Sequence, residues 1–173
     1  RLIVDQINIL SQIAEKNSMK VTHVKPHGAL NNMACENFEL ANTIAKSIMH
    51  SSKDLIFLVP TGSEMENAGK KLGMKVASEI FADRNYEDDG NLVSRSKNHA
   101  LITDPETAKN HVIKMVKNQT LNCYSGKQIP CDIDSICVHG DGKTAVKTAN
   151  EIRKGLIKNG VTLRPLDMMS KFP

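Results

Sequence analysis

The sequence predicts an α/β fold, a parallel sheet with helical cover in a (β/α) barrel-like arrangement whose N-terminal part is missing. Three observations carry this expectation. Four short apolar runs, 19–24, 54–59, 74–80 and 135–138, are separated by segments with apolar residues at three- and four-residue spacing, the rhythm of repeated βα units. The residues best suited to chemistry fall just after those runs, and parallel strands place such positions on one edge, where ligands bind in barrels and open sheets alike. The chain supplies about four βα units, whereas a complete barrel takes roughly 200 to 250 residues, so a barrel here is incomplete; an open flavodoxin-like sheet is the alternative.

Taken in order, the chain opens in a helical pattern with Ile3, Ile7, Leu10 and Ala14 on one face, ended by Asn17-Ser18. It starts with Arg, not Met, and no capping residue precedes the helix, so residues 1–173 are read as the C-terminal portion of one barrel domain. Residues 19–24 form a strand, and 36–50 an amphipathic helix with Leu40, Ile44 and Ile48 turned inward. The unbroken apolar run Leu55-Ile56-Phe57-Leu58-Val59 is a strand buried on both faces. Pro60-Thr61-Gly62 turns into a helix opened by the capping box Ser63-x-x-Glu66 and stopped at Gly73.

The strand 74–80 leads to a polar loop, 85–99, long enough to be a lid or binding loop. Thr103-Asp104-Pro105-Glu106 starts a helix through Lys117, with proline in the first turn, where its missing N–H costs nothing. Residues 120–124 and 127–131 flank Ser125-Gly126 as a small surface hairpin. The last strand is 135–138 and the last helix 143–158, closed by Asn159-Gly160.

Composition narrows the function classes. With 173 residues and 40% hydrophobic content the chain is long enough for one cored domain. No run of about 18 apolar residues argues for a membrane span, and nothing resembles a secretory leader. Cys35, Cys123, Cys131 and Cys137 form no C-x-x-C pair, so they read as reduced thiols of a cytoplasmic protein. A formal charge of +4 spread over helix faces, with 3% aromatic residues, offers few stacking platforms and argues against nucleic-acid binding.

The most informative segment is Val21-Thr-His-Val-Lys-Pro-His-Gly-Ala-Leu30. An extended backbone would turn His23, Lys25 and His27 to one side just where Pro26 and Gly28 break the strand. Lys25 suits charge stabilisation, because a partly buried ammonium can hold a developing oxyanion. His27 and His139 are the candidate proton carriers, since imidazole titrates near neutrality. Asp83 and Asp141 can orient a base or act as one. Arg84 and Arg95 suit a carboxylate through the two-pronged guanidinium. The same His/Asp set would also fit a divalent metal, and spacing does not separate ligation from acid–base work.

These segments resemble the LamB/YcsF family, to which the A subunit of 5-oxoprolinase belongs. The resemblance rests on residues 21–30, on Phe81-Ala82-Asp83-Arg84 with Tyr86 and Asp89-Gly90-x-Leu92-x-x-Arg95, and on Ile136-Cys137-Val138-His139-Gly140-Asp141. It departs at Asn31, where the family usually has Tyr. The resemblance implies a distorted (β/α) barrel and ATP-dependent opening of 5-oxoproline to L-glutamate, together with 5-oxoprolinase subunits B and C. The catalytic set would then be Lys25, His27, Asp83, His139 and Asp141, with His23, Arg84 and Arg95 at the substrate. No nucleotide-binding loop is visible, so ATP is expected on one of the partners. Two competing readings are a metal-dependent amidohydrolase or deacetylase on the same type of barrel, and a non-catalytic subunit that only binds a carboxylate metabolite.

Overall fold

The computed structural model describes residues 1–172, which divide into two compact units, Arg1–Ser78 with the segment from Pro165 onward, and Glu79–Arg164. In the first unit the order is α1 (Leu2–Lys16), β1 (His23–Val24), α2 (Gly28–Glu36), α3 (Phe38–Ser51), β2 (Ile56–Pro60) and α4 (Glu64–Lys71), and the unit takes in the first half of β3 (Val76–Phe81). β1 pairs parallel with β2, His23 opposite Ile56 and Val24 opposite Phe57.

β2 is buried along its whole length, as its unbroken apolar run requires. Phe57 and Val59 pack in one cluster with Ile44 and Ile48 of α3 and Met65 of α4. Ile56, Leu58 and Ala77 form another cluster with Phe172, flanked by Leu166 of a short 3-10 turn (Leu166–Met168) and by Met169. Gly69 of α4 lies so close to the sheet that a Cβ there would sit 2.7 Å from Val76 Cγ2 and 3.1 Å from Phe57 Cδ1.

Two expectations are corrected in this unit. β1 has two residues, not the six of 19–24: Met19 and Lys20 are exposed, and Pro26 lacks the N–H that would carry the ladder onward. Helix α2 was not anticipated. Gly28 reads as a break in the sequence, but its φ of +64° turns the chain out of extended His27 and into the helix.

The capping box at Ser63 is present and more extensive than the motif implies. Ser63 Oγ accepts from the Glu66 N–H at 3.3 Å and donates to the Pro60 carbonyl at 2.6 Å. The buried Glu66 carboxylate accepts from the Gly62 N–H and the Ser78 hydroxyl, both at 2.6 Å, and pairs with Lys70 at 3.0 Å. Glu66→Ala removes the acceptor of the buried Ser78 hydroxyl and of the Gly62 N–H, and should lower unfolding free energy by about 2–3 kcal/mol. Urea unfolding checks this, and a loss under about 0.5 kcal/mol, the size of an ordinary surface change, would mean the carboxylate is dispensable.

The second unit contains the rest of β3, then α5 (Pro105–Asn118), β4 (Thr120–Asn122), β5 (Gln128–Pro130), β6 (Ser135–Cys137) and α6 (Ala145–Lys158). β3 pairs parallel with β6, Glu79 opposite Ser135 and Phe81 opposite Cys137. With β3 common to both units, the strand order is β1-β2-β3-β6, the parallel sheet with helical cover that the sequence predicts.

Asp104 caps α5, accepting from the Thr107 N–H at 2.8 Å. α5 and α6 approach closely at Gly155, where a Cβ would lie 2.8 Å from Ile113 Cδ1. The β4–β5 hairpin is where the sequence predicts it, with its turn and β5 at the surface, while β4 is buried and Leu121 joins Ile80, Phe81, Tyr86 and Met115 in the core. Among the described residues no helix is long and apolar enough to cross a membrane.

Candidate functional site

The site of the second unit is built where two neighbouring parallel strands end together. β3 closes at Phe81, and the Ala82 N–H still reaches the Cys137 carbonyl at 3.0 Å, so the ladder runs one residue beyond the strand. Asp83 and His139 follow on adjacent strands, which lie about 4.8 Å apart in any sheet, and there they meet. His139 Nδ1 lies 2.9 Å from Asp83 Oδ1 and 2.8 Å from Oδ2. The Phe81 ring stacks on the imidazole at 5.8 Å between centroids. Both side chains are about four-fifths buried.

This geometry engages Nδ1 with a carboxylate and leaves Nε2 to exchange protons with a bound molecule. A histidine held this way can serve as an oriented general acid or base. The pair lines a cavity of about 180 Å³ with Arg95, Thr103, Asp141 and Thr144, and with Leu101, Ile102 and Val138 on its apolar side. An arginine, a histidine–carboxylate pair and an apolar wall in one small cavity could hold a compact anionic molecule.

The polar loop is held by contacts that run from the buried end of β3 to the surface. The Tyr86 hydroxyl accepts the Phe81 N–H at 2.7 Å, tying the loop to the end of β3, and burial pushes its ionisation well above the ordinary phenol value. Asn85 Nδ2 donates to the His99 carbonyl at 2.7 Å, Lys97 pairs with Glu87 at 2.6 Å, and the His99 ring stacks on Tyr124 at 3.7 Å.

Arg84, expected beside Arg95 at a substrate carboxylate, has a different position. Its guanidinium is buried and donates from Nη2 to the Val93 carbonyl at 2.7 Å, and it is not among the cavity-lining residues. Burial, with Arg95 close by, lowers its affinity for a proton. The side chain braces the loop, while Arg95 reaches the cavity.

The structure thus brings Asp83, His139, Asp141 and Arg95 to one cavity. His23, Lys25 and His27 lie in the first unit. β1 stops at Val24, and His27 beyond it is still extended, at φ −134° and ψ 158°. His23 is exposed, its Nδ1 3.0 Å from the Thr22 hydroxyl. Lys25 is half-buried beside buried Pro26, and exposed His27 is the extended N-cap residue of α2.

Sequence reasoning missed Thr103, Thr144 and Thr148. Thr103 reads as part of a helix start, but the spacing of Thr144 and Thr148 was a usable signal, because residues four apart share a helix face. Among the described residues no group of three or more His, Cys, Asp or Glu side chains is gathered as a metal site requires. All four cysteines are free thiols; Cys35 is pushed up to about 11, by burial and then by Glu36.

The LamB/YcsF family profile matches residues 1–171. The chain is 46% identical over 161 residues to the A subunit of 5-oxoprolinase from Clostridium beijerinckii, covering 93% of this chain and 63% of that protein. It is 42% identical over 165 residues to the protein of the same name from Staphylococcus epidermidis, covering 95% and 66%. Among solved structures, the Lactam Utilization Protein from Thermus thermophilus superposes with a TM-score of 0.84 at 32% identity, over 94% of this chain and 64% of that one. The chain therefore spans a little under two thirds of the length of these relatives.

Proposed function

The chain belongs to the LamB/YcsF family, and from that premise we propose that the protein it represents opens 5-oxo-L-proline to L-glutamate, as the A subunit of an ATP-dependent 5-oxoprolinase. The observation that carries the reading is the Asp83–His139 pair in a small cavity with Arg95. Ring opening adds water across a lactam C–N bond, so it needs a grip on the substrate carboxylate, a charge to stabilise the developing oxyanion, and a proton for the departing nitrogen. Arg95 supplies the first and His139 Nε2 the third, with Asp83 orienting the imidazole, and Lys25 is kept as the candidate charge for the second. Asp141 lines the same cavity, and His27 is kept as a further proton carrier. The names of the relatives, the A subunit of 5-oxoprolinase and a lactam utilization protein, point to the same substrate class.

ATP belongs on partner subunits B and C in this reading. The cavity of about 180 Å³ lies below the roughly 300–1,000 Å³ that sites for larger ligands and cofactors usually offer. Four free thiols suit a reducing, cytoplasmic compartment. The test is glutamate release from 5-oxoproline by the full-length protein with its partner subunits and ATP. Release that depends on this protein is expected, and an equal rate without it would refute the assignment.

A further inference from the structure

Arg95 comes to the cavity on an exposed segment, residues 94–98, whose Lys97 N–H closes a turn on the Ser94 carbonyl at 2.9 Å. The Lys97–Glu87 pair lies at the surface, where an ion pair holds little. The place of such a segment is therefore set by its two ends.

Both ends are tied to the residues that follow Asp83. The Asn85 carbonyl accepts the Val93 N–H at 2.9 Å, its own N–H reaches the Ala100 carbonyl at 3.1 Å, and its Nδ2 reaches the His99 carbonyl at 2.7 Å. Arg84 adds a side-chain hold on the near end, Nη2 donating to the Val93 carbonyl at 2.7 Å. Val93 is thus gripped at its N–H and its carbonyl, with its side chain fully buried, two residues before Arg95.

Arginine is a costly choice for a brace. Arg84 is buried, its Nε makes no hydrogen bond, and the like charge of Arg95 is close by. A buried cation is expensive unless it is well paired, and for stability alone an apolar side chain would serve. What arginine supplies is reach and direction, a planar fork on a long stem.

We propose that Arg84 is a positioning residue: by fixing Val93 it sets where the Arg95 guanidinium stands relative to the Asp83–His139 pair, and with that the affinity for a substrate carboxylate. Since Arg84 adjoins Asp83 in the chain, the carboxylate grip and the proton carrier are referred to the same strand end. The effect on substrate rests on the proposed function, while the hold on the loop does not.

Two measurements on the full-length protein test this. Trypsin cuts after arginine and lysine, and Arg95 and Lys97 both lie in the exposed segment. Arg84→Met should be cut there about tenfold faster than native protein, with the rest of the chain as resistant as before. In the assembled enzyme it should raise the KM for 5-oxoproline about ten- to a hundredfold and change kcat less than about threefold, as loss of a binding contact does. In an Arg95→Ala background, Arg84→Met should raise KM no further, because residues acting through one contact are not additive. Arg84→Lys keeps the charge but falls a bond short of the fork; it should give an intermediate KM, and it replaces Arg84→Met if that variant is cut throughout. Unchanged cleavage at the segment, an unchanged KM, or a KM effect that adds to that of Arg95→Ala overturns the proposal. Faster cleavage of the variant, with no glutamate release by native protein, would leave the hold on the loop standing and remove the oxoprolinase reading; glutamate release with unchanged cleavage would do the reverse.

Discussion

Asp83→Asn in the full-length protein is expected to lower turnover by about a hundred- to ten-thousandfold, the range that positioned acid–base groups contribute. Asparagine keeps the shape of the carboxylate but not its charge. His139 would keep a neighbour 2.8–2.9 Å from Nδ1 and lose the carboxylate acceptor that fixes its orientation. The loss should fall on kcat, since Asp83 orients a proton carrier and does not grip the substrate; KM should move less than about threefold. Circular dichroism and the unfolding midpoint should match the unaltered protein, because the pair sits at the strand ends and not in the apolar core. Unchanged kcat would show that the Asp83–His139 contact serves only to join two strand ends.

Lys25→Ala is the second large effect, a fall in turnover of about a hundredfold or more, the scale of losing one preorganised charge-stabilising group. Lys25 is half-buried between β1 and Pro26, and the residue before a proline is confined to extended backbone, so its stem is held without help from a longer strand. Lys25→Arg should recover little, because a planar fork does not replace a compact ammonium. A variant that loses thermal stability but keeps its turnover would place Lys25 in the packing of the first unit and remove it from the chemistry.

Elements with strong local signals are legible in the amino-acid sequence. Asp104 and Ser63 announce helices because a short side-chain acceptor satisfies first-turn N–H groups. The run from Leu55 to Val59 could only be a doubly buried strand. α2 was hidden because Gly28 carries opposite meanings, a strand breaker in the sequence and a left-handed start to a helix in the folded chain. The position of β4 is legible but its burial is not, since three residues cannot reveal what will cover them.

The candidate site divides in the same way. The sequence by itself determined which residue types follow each strand, and parallel topology then required Asp83 and His139 to emerge on one edge. It also determined the parallel sheet, since alternating strand and helix periods permit few other packings. Only the tertiary structure decided that these two side chains touch, that Arg95 reaches the cavity while Arg84 is buried against the Val93 carbonyl, and that Thr148 lines the wall. The reason is physical: periodicity and capping act within about four residues, whereas Asp83 and His139 stand 56 residues apart and meet only when β3 and β6 pair.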